Sequence, residues 1–302
     1  MMTSLVKSFL LRFEIFRALQ AVLARRRSRA GGLDFPIIPD YPFRSAPRYG
    51  YGQAPHGRLL EILDRSRQTY AATLQEFVAF SKELHQIPLD PPGDPEGPYW
   101  RNSYFGGLDA VSLYALAALN DPRTYIEIGS GNSTKFMRKA VRTRGLRTRM
   151  VSIDPNPRAE IDGLCDEVRR TRLEETDLSV FDSLDTGDIL FVDGSHRVFM
   201  NSDVSVIFLD ILPRLKPGVL IYIDDIYLPL DYPPDWIPRY YSEQYLLAAL
   251  LLAEGPHYEV VLPCMFVRLN PDLQHIVDRL WANSAFADAG LGWGTGFWLR
   301  RR

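Results

Sequence analysis

The feature that most constrains the fold is the segment Tyr125-Ile-Glu-Ile-Gly-Ser-Gly-Asn-Ser-Thr134, in which an apolar strand leads through a glycine-rich turn into a helix. Such a turn places free backbone amides at a helix start, beside a ligand crevice at the carboxyl end of the strand. Gly129 and Gly131 allow the backbone to turn tightly and to approach a ligand closely. A dinucleotide fingerprint would have a third glycine at position 134, and Glu127 would repel a pyrophosphate but suit a cationic ligand.

A second motif, Ser152-Ile-Asp-Pro155, follows one strand later. Asp154 would end that strand with a carboxylate that can accept hydrogen bonds from both hydroxyls of a ribose. The two motifs together predict a ligand of the adenosine type, although Asp154 alone would also fit a turn or a helix cap. The segment 172–177, which includes Glu174, falls where the loop of a third strand would border an adenine, although solvated surface charges would explain most of it.

The pattern of the chain beyond Trp100 predicts an α/β fold. Apolar runs bounded by acidic or glycine residues alternate with helical stretches, which is typical of βα units that form a parallel sheet. Strands are predicted over 124–128, 150–153, 188–192, 219–223, 258–267 and 297–301. Helices are predicted near 133–142, 158–169, 201–215 and 242–253. We therefore expect an open, doubly wound, mostly parallel sheet in a domain that spans residues 101–302.

The N-terminal part predicts a helical extension to that domain. Residues 1–30 combine apolar side chains at helical spacing with an excess of about six positive charges, which predicts a basic amphipathic helix. Such a helix could lie on the inner face of a membrane, bind a partner, pair with a second copy in a homo-oligomer, or pack on its own domain. Residues 31–100 predict an arm rich in proline and glycine, followed by one long helix over 58–86.

Composition excludes several classes of protein. The formal net charge of −2 argues against attraction of the whole surface to nucleic acid, so no nucleic-acid partner is expected. Cys165 and Cys264 are the only cysteines, which indicates neither a disulfide framework nor a zinc cluster and fits a reducing cytoplasm. No apolar stretch reaches the roughly 18 to 20 residues that a membrane-spanning helix needs, so we expect a soluble, cytoplasmic protein.

Acidic side chains and one histidine follow two later strands. Asp193-Gly-Ser-His196 comes after one strand and Asp224-Asp225 after the next, and neighbouring strand ends converge. Three carboxylates in one crevice are costly without a cation, and oxygen ligands suit a hard ion, so Asp193, Asp224 and Asp225 predict a magnesium site. His196 is placed to remove a proton from a substrate hydroxyl. Alternatively, one aspartate caps a helix, another faces water, and the histidine is structural.

The two glycine and aspartate motifs resemble the first two motifs of class I S-adenosylmethionine methyltransferases, and the chain looks similar to methyltransferase domain family 24. The resemblance implies a Rossmann-like sheet of seven strands. It implies that the glycine turn carries the methionine part of the cofactor and that Asp154 holds its ribose. The implied cofactor-binding residues are Glu127, Gly129, Ser130, Gly131, Asn132, Ser133, Asp154, Glu174 and Asp193. A positive sulfonium would explain the acidic crevice.

The acidic residues and the histidine match, in type and order, metal-dependent O-methyltransferases that act on sugars, including macrolide and aminocoumarin sugars. That resemblance implies that the ion binds adjacent substrate oxygens and that His196 or a nearby carboxylate deprotonates one of them. It implies catalytic roles for His196 and Asp193 and an acceptor that is a small molecule or a glycan. The alternatives are a metal-free N- or C-methyltransferase and a non-catalytic scaffold that binds S-adenosylmethionine.

Residues 226–236 are rich in aromatic side chains and proline, and we call this segment the lid. Tyr227, Tyr232 and Trp236 would either contact a sugar or pack the lid onto the sheet. Arg197 and Arg239 near the predicted site would suit a phosphate or a carboxylate on the acceptor. Upstream, the segment 100–107 could close over the cofactor.

Overall fold

The computed structural model describes residues 45–282 and 285–302 of the chain. Its centre is a seven-stranded sheet with the order β3-β2-β1-β4-β5-β7-β6. The strands are β1 (Thr124–Ile128), β2 (Arg149–Ile153), β3 (Glu167–Arg169), β4 (Ile189–Val192), β5 (Leu220–Ile223), β6 (Tyr258–Pro263) and β7 (Phe297–Arg301). The first five are parallel, and β7 runs antiparallel between β5 and β6. The predicted doubly wound, mostly parallel sheet is thereby confirmed.

Helices occur both between the strands and in the described part of the chain before β1. The α-helices are α1 (Gly57–Asp64), α2 (Arg67–Val78), α3 (Ser81–Leu84), α4 (Gly107–Asn120), α5 (Asn132–Arg144), α6 (Asp203–Val206), α7 (Glu243–Leu252), α8 (Cys264–Leu269) and α9 (Pro271–Asp278). A π-helical segment, Ile207–Ile211, continues α6, and a 3-10 turn, Leu212–Arg214, follows it. Among the described residues, no helix is both long and apolar enough to cross a membrane.

The sheet order places the ligand crevice. Strands β4 and β5 are buried along their whole length, as expected for parallel strands with both faces covered. β1 pairs with β2 on one side and with β4 on the other, so the order of the strands reverses at β1. Ligands of open α/β sheets bind at such a reversal, outside the carboxyl ends of the strands. The glycine turn after β1 and the aspartates after β2, β4 and β5 all lie at this edge.

The predicted helix over 158–169 is wrong. A 3-10 turn, Asp162–Leu164, occupies part of this segment, and β3 follows it as a short strand parallel to β2. The pairing of Glu167 with Val151 supplies backbone hydrogen bonds that no local pattern reveals, so the tertiary partner decides the structure here.

Two other predicted elements have different bounds. The single helix over 58–86 is divided into α1, α2 and α3, although the residues after α1 and α2, Arg65 and Ala79, keep helical backbone angles. The helical spacing of the apolar residues therefore continues across each interruption. The strand predicted over 258–267 ends at Pro263, and α8 begins there, because a short apolar run does not distinguish a buried strand from a buried helix.

The helices before residue 100 share the core of the sheet. Residues 46–302 form one compact unit, and Leu63, Tyr70 and Phe77 of α1 and α2 are buried in the same apolar cluster as the strands. The predicted amphipathic helix over 1–30 and the first part of the 31–100 arm lie outside the described residues. Contact of residues 1–30 with a membrane or a partner, and the division of the chain at residue 100, remain predictions.

A buried aspartate fastens β7 in place. Asp109 of α4 accepts hydrogen bonds from the backbone amides of Thr295 and Gly296, at 2.9 and 2.7 Å, just before β7 begins. Burial raises the pKa of Asp109 to about 7, although the two amides oppose that shift. Trp298 of β7 also donates to Ser112 of α4 at 2.8 Å. The antiparallel strand is thus tied to the helix that precedes β1.

Candidate active site

A cavity of about 380 Å³ opens at the carboxyl ends of β1, β2 and β4. This volume falls within the range of sites for small molecules. Five residues predicted from the sequence to bind the cofactor line it, namely Gly129, Ser130, Asp154, Glu174 and Asp193. Gly131, Asn132 and Ser133 line a small adjoining pocket that shares Ser130, Arg158 and Asp193 with the cavity. The structure therefore brings eight of the nine predicted cofactor residues to one place.

The two glycines of the turn are needed for different reasons. Gly129 has a φ of +78°, and a Cβ atom there would overlap the backbone carbonyl oxygen of Asp193. Gly131 has an extended φ of 171°, and a Cβ atom there would meet no atom within 4 Å. The tight turn predicted for both glycines therefore applies to Gly129 alone. At Gly131 the missing side chain leaves open space at the start of α5, where a ligand can pass.

Asp154 connects the two motifs. Its Oδ2 accepts a hydrogen bond from the backbone amide of Ser130 at 2.7 Å, and its Oδ1 accepts one from the amide of Asn156 at 2.7 Å. Each carboxylate oxygen has a second lone pair, and Asp154 lines the cavity, so ligand hydroxyls can be bound there. This donor set, the cavity and the open space at Gly131 fit an adenosine ligand that carries a methionine chain.

Glu127 occupies a different position from that predicted. The side chain is buried and accepts hydrogen bonds from the hydroxyls of Tyr125, Ser133 and Thr134. Burial raises the pKa of Glu127 to about 7, and the three hydroxyls oppose that shift. Glu127 does not line the cavity or the adjoining pocket. It fastens the first turn of α5 to β1, so any effect on a cationic ligand acts through this turn.

His196 is the centre of the chemical part of the site. Its Nε2 lies 3.1 Å from Oδ1 of Asp193 and 3.6 Å from Oδ2 of Asp225, and its Nδ1 lies 2.9 Å from Oε2 of Glu243. Burial by itself would lower the pKa of His196, but the hydrogen bonds to Asp193 and Glu243 raise it well above its ordinary value. Both ring nitrogens are thus engaged by carboxylates.

The accessible groups of this cluster are the aspartates. The side chain of His196 is only 4% exposed, whereas those of Asp193 and Asp225 are 27% and 22% exposed. His196 and Asp225 also have left-handed backbone angles, with φ of +59° and +54°, which ordinary residues rarely adopt. A molecule in the crevice would meet carboxylate oxygens first, with the imidazole behind them.

Asp224 forms its side-chain hydrogen bond with Tyr222 and not with His196. It is buried and accepts a hydrogen bond from the Tyr222 hydroxyl at 2.8 Å. Burial raises the pKa of Asp224 well above its ordinary value, and the charges of Asp193 and Asp225 raise it further. Within residues 45–282 and 285–302, no group of three or more His, Cys, Asp or Glu side chains is placed to hold a metal ion. As arranged here, the three predicted ligands do not fit magnesium.

The aromatic side chains of the lid pack against one another. The ring centroids of Tyr227 and Trp236 are 5.2 Å apart, and those of Trp236 and Tyr241 are 5.4 Å apart. Tyr241 in turn lies 4.5 Å from the ring of His196. The side chain of Gln244 accepts a hydrogen bond from the amide of Tyr227 at 2.9 Å. The lid is therefore held by contacts among its own rings and with Gln244 of α7, and a row of rings connects it to His196.

Two arginines belong to the cavity: Arg172 begins the segment 172–177 that was predicted to border an adenine, whereas Arg158 was not found from the sequence. Arg158 and Arg172 both line it, and the guanidinium of Arg158 lies 5.3 Å from the ring centroid of Tyr104. Tyr104 belongs to the 100–107 segment and lines the adjoining pocket. Arg158 follows Asp154 by four positions, and loops after the second strand border the ligand in this type of sheet. Its position in that loop could therefore have identified Arg158 as a cavity residue. Glu243 stands at the start of a predicted helix, where it would reach a ligand or cap the helix, but the sequence did not reveal its contact with His196.

Comparisons with known proteins find a matching family model and similar solved structures. A family model described as Methyltransferase domain matches residues 126–226, from β1 into the lid. No curated protein matches the chain. An O-methyltransferase from Bacillus cereus in complex with S-adenosylhomocysteine (SAH) is similar at 17% identity and a TM-score of 0.40, over 76% of this chain and 90% of that chain.

An SAH-bound methyltransferase from Podospora anserina is similar at 17% identity and a TM-score of 0.40, over 80% of this chain and 96% of that chain. The sheet, with β7 antiparallel between β5 and β6, places the matched segment around the cavity. Residues 126–226 of this chain, from β1 into the lid, are thus similar to a methyltransferase domain.

Proposed function

We propose that this chain is an S-adenosylmethionine-dependent methyltransferase that transfers the methyl group to a hydroxyl oxygen of a sugar, of another hydroxylated small molecule or of a glycan. One observation carries the proposal: Asp193 lines the cofactor cavity and also lies 3.1 Å from the imidazole of His196. An alcohol must lose its proton as the new bond to oxygen forms. This contact supports the proposal, because groups that can accept and hold a proton lie at the cavity proposed to bind the methyl donor.

The roles of the residues follow from their exposure. S-Adenosylmethionine supplies an electrophilic methyl group on a positive sulfonium. The acceptor hydroxyl would lie at the exposed carboxylates of Asp193 and Asp225, and one of these oxygens accepts its proton. The acceptor oxygen bonds to the methyl carbon as the carbon–sulfur bond breaks, and the proton later leaves to water. His196 orients both carboxylates from behind, and the fixed geometry supplies much of the acceleration.

Assistance by magnesium was predicted from the sequence and is kept apart from the mechanism proposed above. Asp193, Asp224 and Asp225 are oxygen ligands at adjacent strand ends, and an ion held there would lower the pKa of the acceptor hydroxyl. The present arrangement does not favour this, because Asp224 is bonded to Tyr222 and His196 contacts the other two. The mechanism above therefore uses only the side chains of the protein.

The test is an activity screen with isotope-labelled S-adenosylmethionine and a panel of sugars, glycosides and glycans. We expect an O-methyl product from the wild type, and loss of turnover in Asp193→Asn and His196→Gln with SAH binding retained in His196→Gln. Asp182→Asn, on the surface, is the matched control and should remain active. A product methylated on nitrogen or carbon, or full turnover in both variants, would overturn the proposal.

The same screen decides the magnesium question. Each reaction is repeated with added magnesium and with a chelator. If an ion assists, the chelator abolishes turnover, magnesium restores it, and Asp224→Asn weakens the response to magnesium. Equal rates in both conditions would exclude metal assistance and leave O-methylation by the side chains alone.

A further inference from the structure

Two arginines stand next to the candidate active site. The guanidinium carbon of Arg239 lies 4.0 Å from the ring centroid of Trp236 and 5.6 Å from that of Tyr241. The guanidinium carbon of Arg197 lies 5.4 Å from the ring centroid of Tyr241. Because Tyr241 also contacts the ring of His196, both positive charges lie one aromatic ring away from the catalytic cluster.

Neither charge is neutralised by a carboxylate in contact with it. Arg197 donates from Nε to the backbone oxygen of Arg239 at 2.8 Å and from Nη1 to that of Ser195 at 3.3 Å. Of the ion pairs formed by the described residues, none includes Arg197 or Arg239. Other arginines do have such partners: Arg67, for example, lies 2.8 Å from Asp272.

Arg239 is exposed, and its contacts with Trp236 and Tyr241 use the flat face of the guanidinium. Contact with a ring face leaves the N–H groups at the edge of the guanidinium available to bind an anion.

We propose that Arg239 and Arg197 bind an anionic group of the acceptor, a phosphate or a carboxylate, while its hydroxyl lies at Asp193 and Asp225. The substrate class is therefore an anionic hydroxy compound, such as a sugar phosphate or a uronic acid. Guanidinium groups bind these anions through paired hydrogen bonds, and stacking on Trp236 holds one of them in position beforehand. This inference rests on the proposed function, since it names the substrate class of the same site.

The experiment compares glucose, glucose 6-phosphate and glucuronate, which share a sugar ring and differ in charge. Binding to the SAH complex is measured by calorimetry, and turnover is measured with S-adenosylmethionine. Loss of hydrogen bonds to a charged group should weaken binding of the anionic sugars to Arg239→Gln by roughly 10- to 100-fold. Binding of glucose should change by less than about threefold. Arg239→Lys keeps the charge without the paired donors and should lose part of the effect.

Arg214→Gln, a surface substitution outside the cavity and the lid, is the matched control and should bind all three sugars as the wild type does. Unchanged SAH binding establishes that each variant is folded. Anionic sugars that bind no better than glucose, or an equal loss for all three in Arg239→Gln, would overturn the inference. If glucose is methylated and the anionic sugars are not, the inference fails and the proposed function stands. If the anionic sugars bind through Arg239 and no hydroxyl is methylated, the anion site stands and the proposed function fails.

Discussion

The imidazole of His196 lies 3.1 Å from a carboxylate oxygen of Asp193, the residue that follows β4 and lines the cofactor cavity. One side chain thus belongs both to the cavity and to the cluster that we propose accepts the proton of the acceptor. A substitution at Asp193 should therefore change both SAH affinity and turnover, whereas a substitution at His196 should change turnover alone.

Replacement of the buried partner of His196 should change its titration. Glu243→Gln removes the carboxylate 2.9 Å from Nδ1, so the pKa of His196 should fall toward its ordinary value. Proton NMR titration of the imidazole measures this directly. Glu254→Gln, a surface change at a residue paired with Arg58 and Arg65, is the control. An unchanged pKa of His196 in Glu243→Gln would contradict the assigned cause of the shift.

The same pKa shift has a consequence for stability. A histidine with a raised pKa in the folded state stabilises the fold fully below its unfolded pKa, near 6.5, and this stabilisation is lost as pH rises through the folded pKa. The free energy of unfolding of the wild type, from urea denaturation, should fall over this range more steeply than that of Glu243→Gln. Parallel curves for the two proteins would count against the prediction.

Substitution of the two glycines of the turn by alanine should affect different properties: mainly stability at Gly129 and mainly SAH binding at Gly131. Gly129→Ala should lower the free energy of unfolding by about 2 kcal/mol or more, because its Cβ meets the Asp193 carbonyl and its φ is positive. Gly131→Ala should change stability by less than about 1 kcal/mol but weaken SAH binding by roughly tenfold or more. Urea denaturation and calorimetry separate the effects. Normal SAH affinity in Gly131→Ala would mean that the ligand does not pass this position.

Asp154 should be necessary for cofactor affinity. Asp154→Asn leaves one acceptor oxygen where the two amides of Ser130 and Asn156 now have two, and it removes the charge, so the dissociation constant for SAH should rise roughly 10- to 100-fold. Asp177→Asn is a close control, because Asp177 accepts the amide of Ser179 in the same way and lies outside the cavity. Equal SAH affinity in both variants would remove Asp154 from the binding site.

Glu127 should make stability depend on pH. Burial raises its pKa from 4.5 to about 7, so the folded protein keeps a proton that the unfolded chain has lost. Stability should therefore fall between about pH 4.5 and 7, by on the order of 3 kcal/mol at most. Glu127→Gln should flatten this decline, and Glu76→Gln on the surface of α2 should not. A decline that persists unchanged in Glu127→Gln would show that another group causes it.

The central strands could be predicted because their residues are constrained on both faces. β1 has the predicted bounds, and β2, β4 and β5 differ from the predicted strands by one residue at one end. A strand buried on both faces reads as an apolar run, and the glycine or aspartate that follows marks its end. The position of β7 between β5 and β6 follows from no such run, since its partners lie far away along the chain.

The site was only partly predictable, because the sequence shows which residues end the strands but not which distant side chains contact one another. Residue types at strand ends identify Gly129, Asp154 and Asp193 as neighbours in space, since parallel strands end at one edge. The distribution of hydrogen bonds among buried acids depends on side chains distant in sequence. Glu243 is 47 residues from His196, and Tyr222 holds Asp224 instead of leaving it to converge with the other aspartates.

The position of β7 between β5 and β6 also keeps the edge of β5 covered, which should oppose self-association. β5 forms one of its two rows of backbone hydrogen bonds with β7, which in turn carries β6. Detachment of residues 297–301 would expose an apolar strand edge directly beside Asp224 and Asp225, and such edges pair readily with other chains. Because Asp109 holds the two amides before β7, it also helps to keep this edge covered and should thereby oppose aggregation.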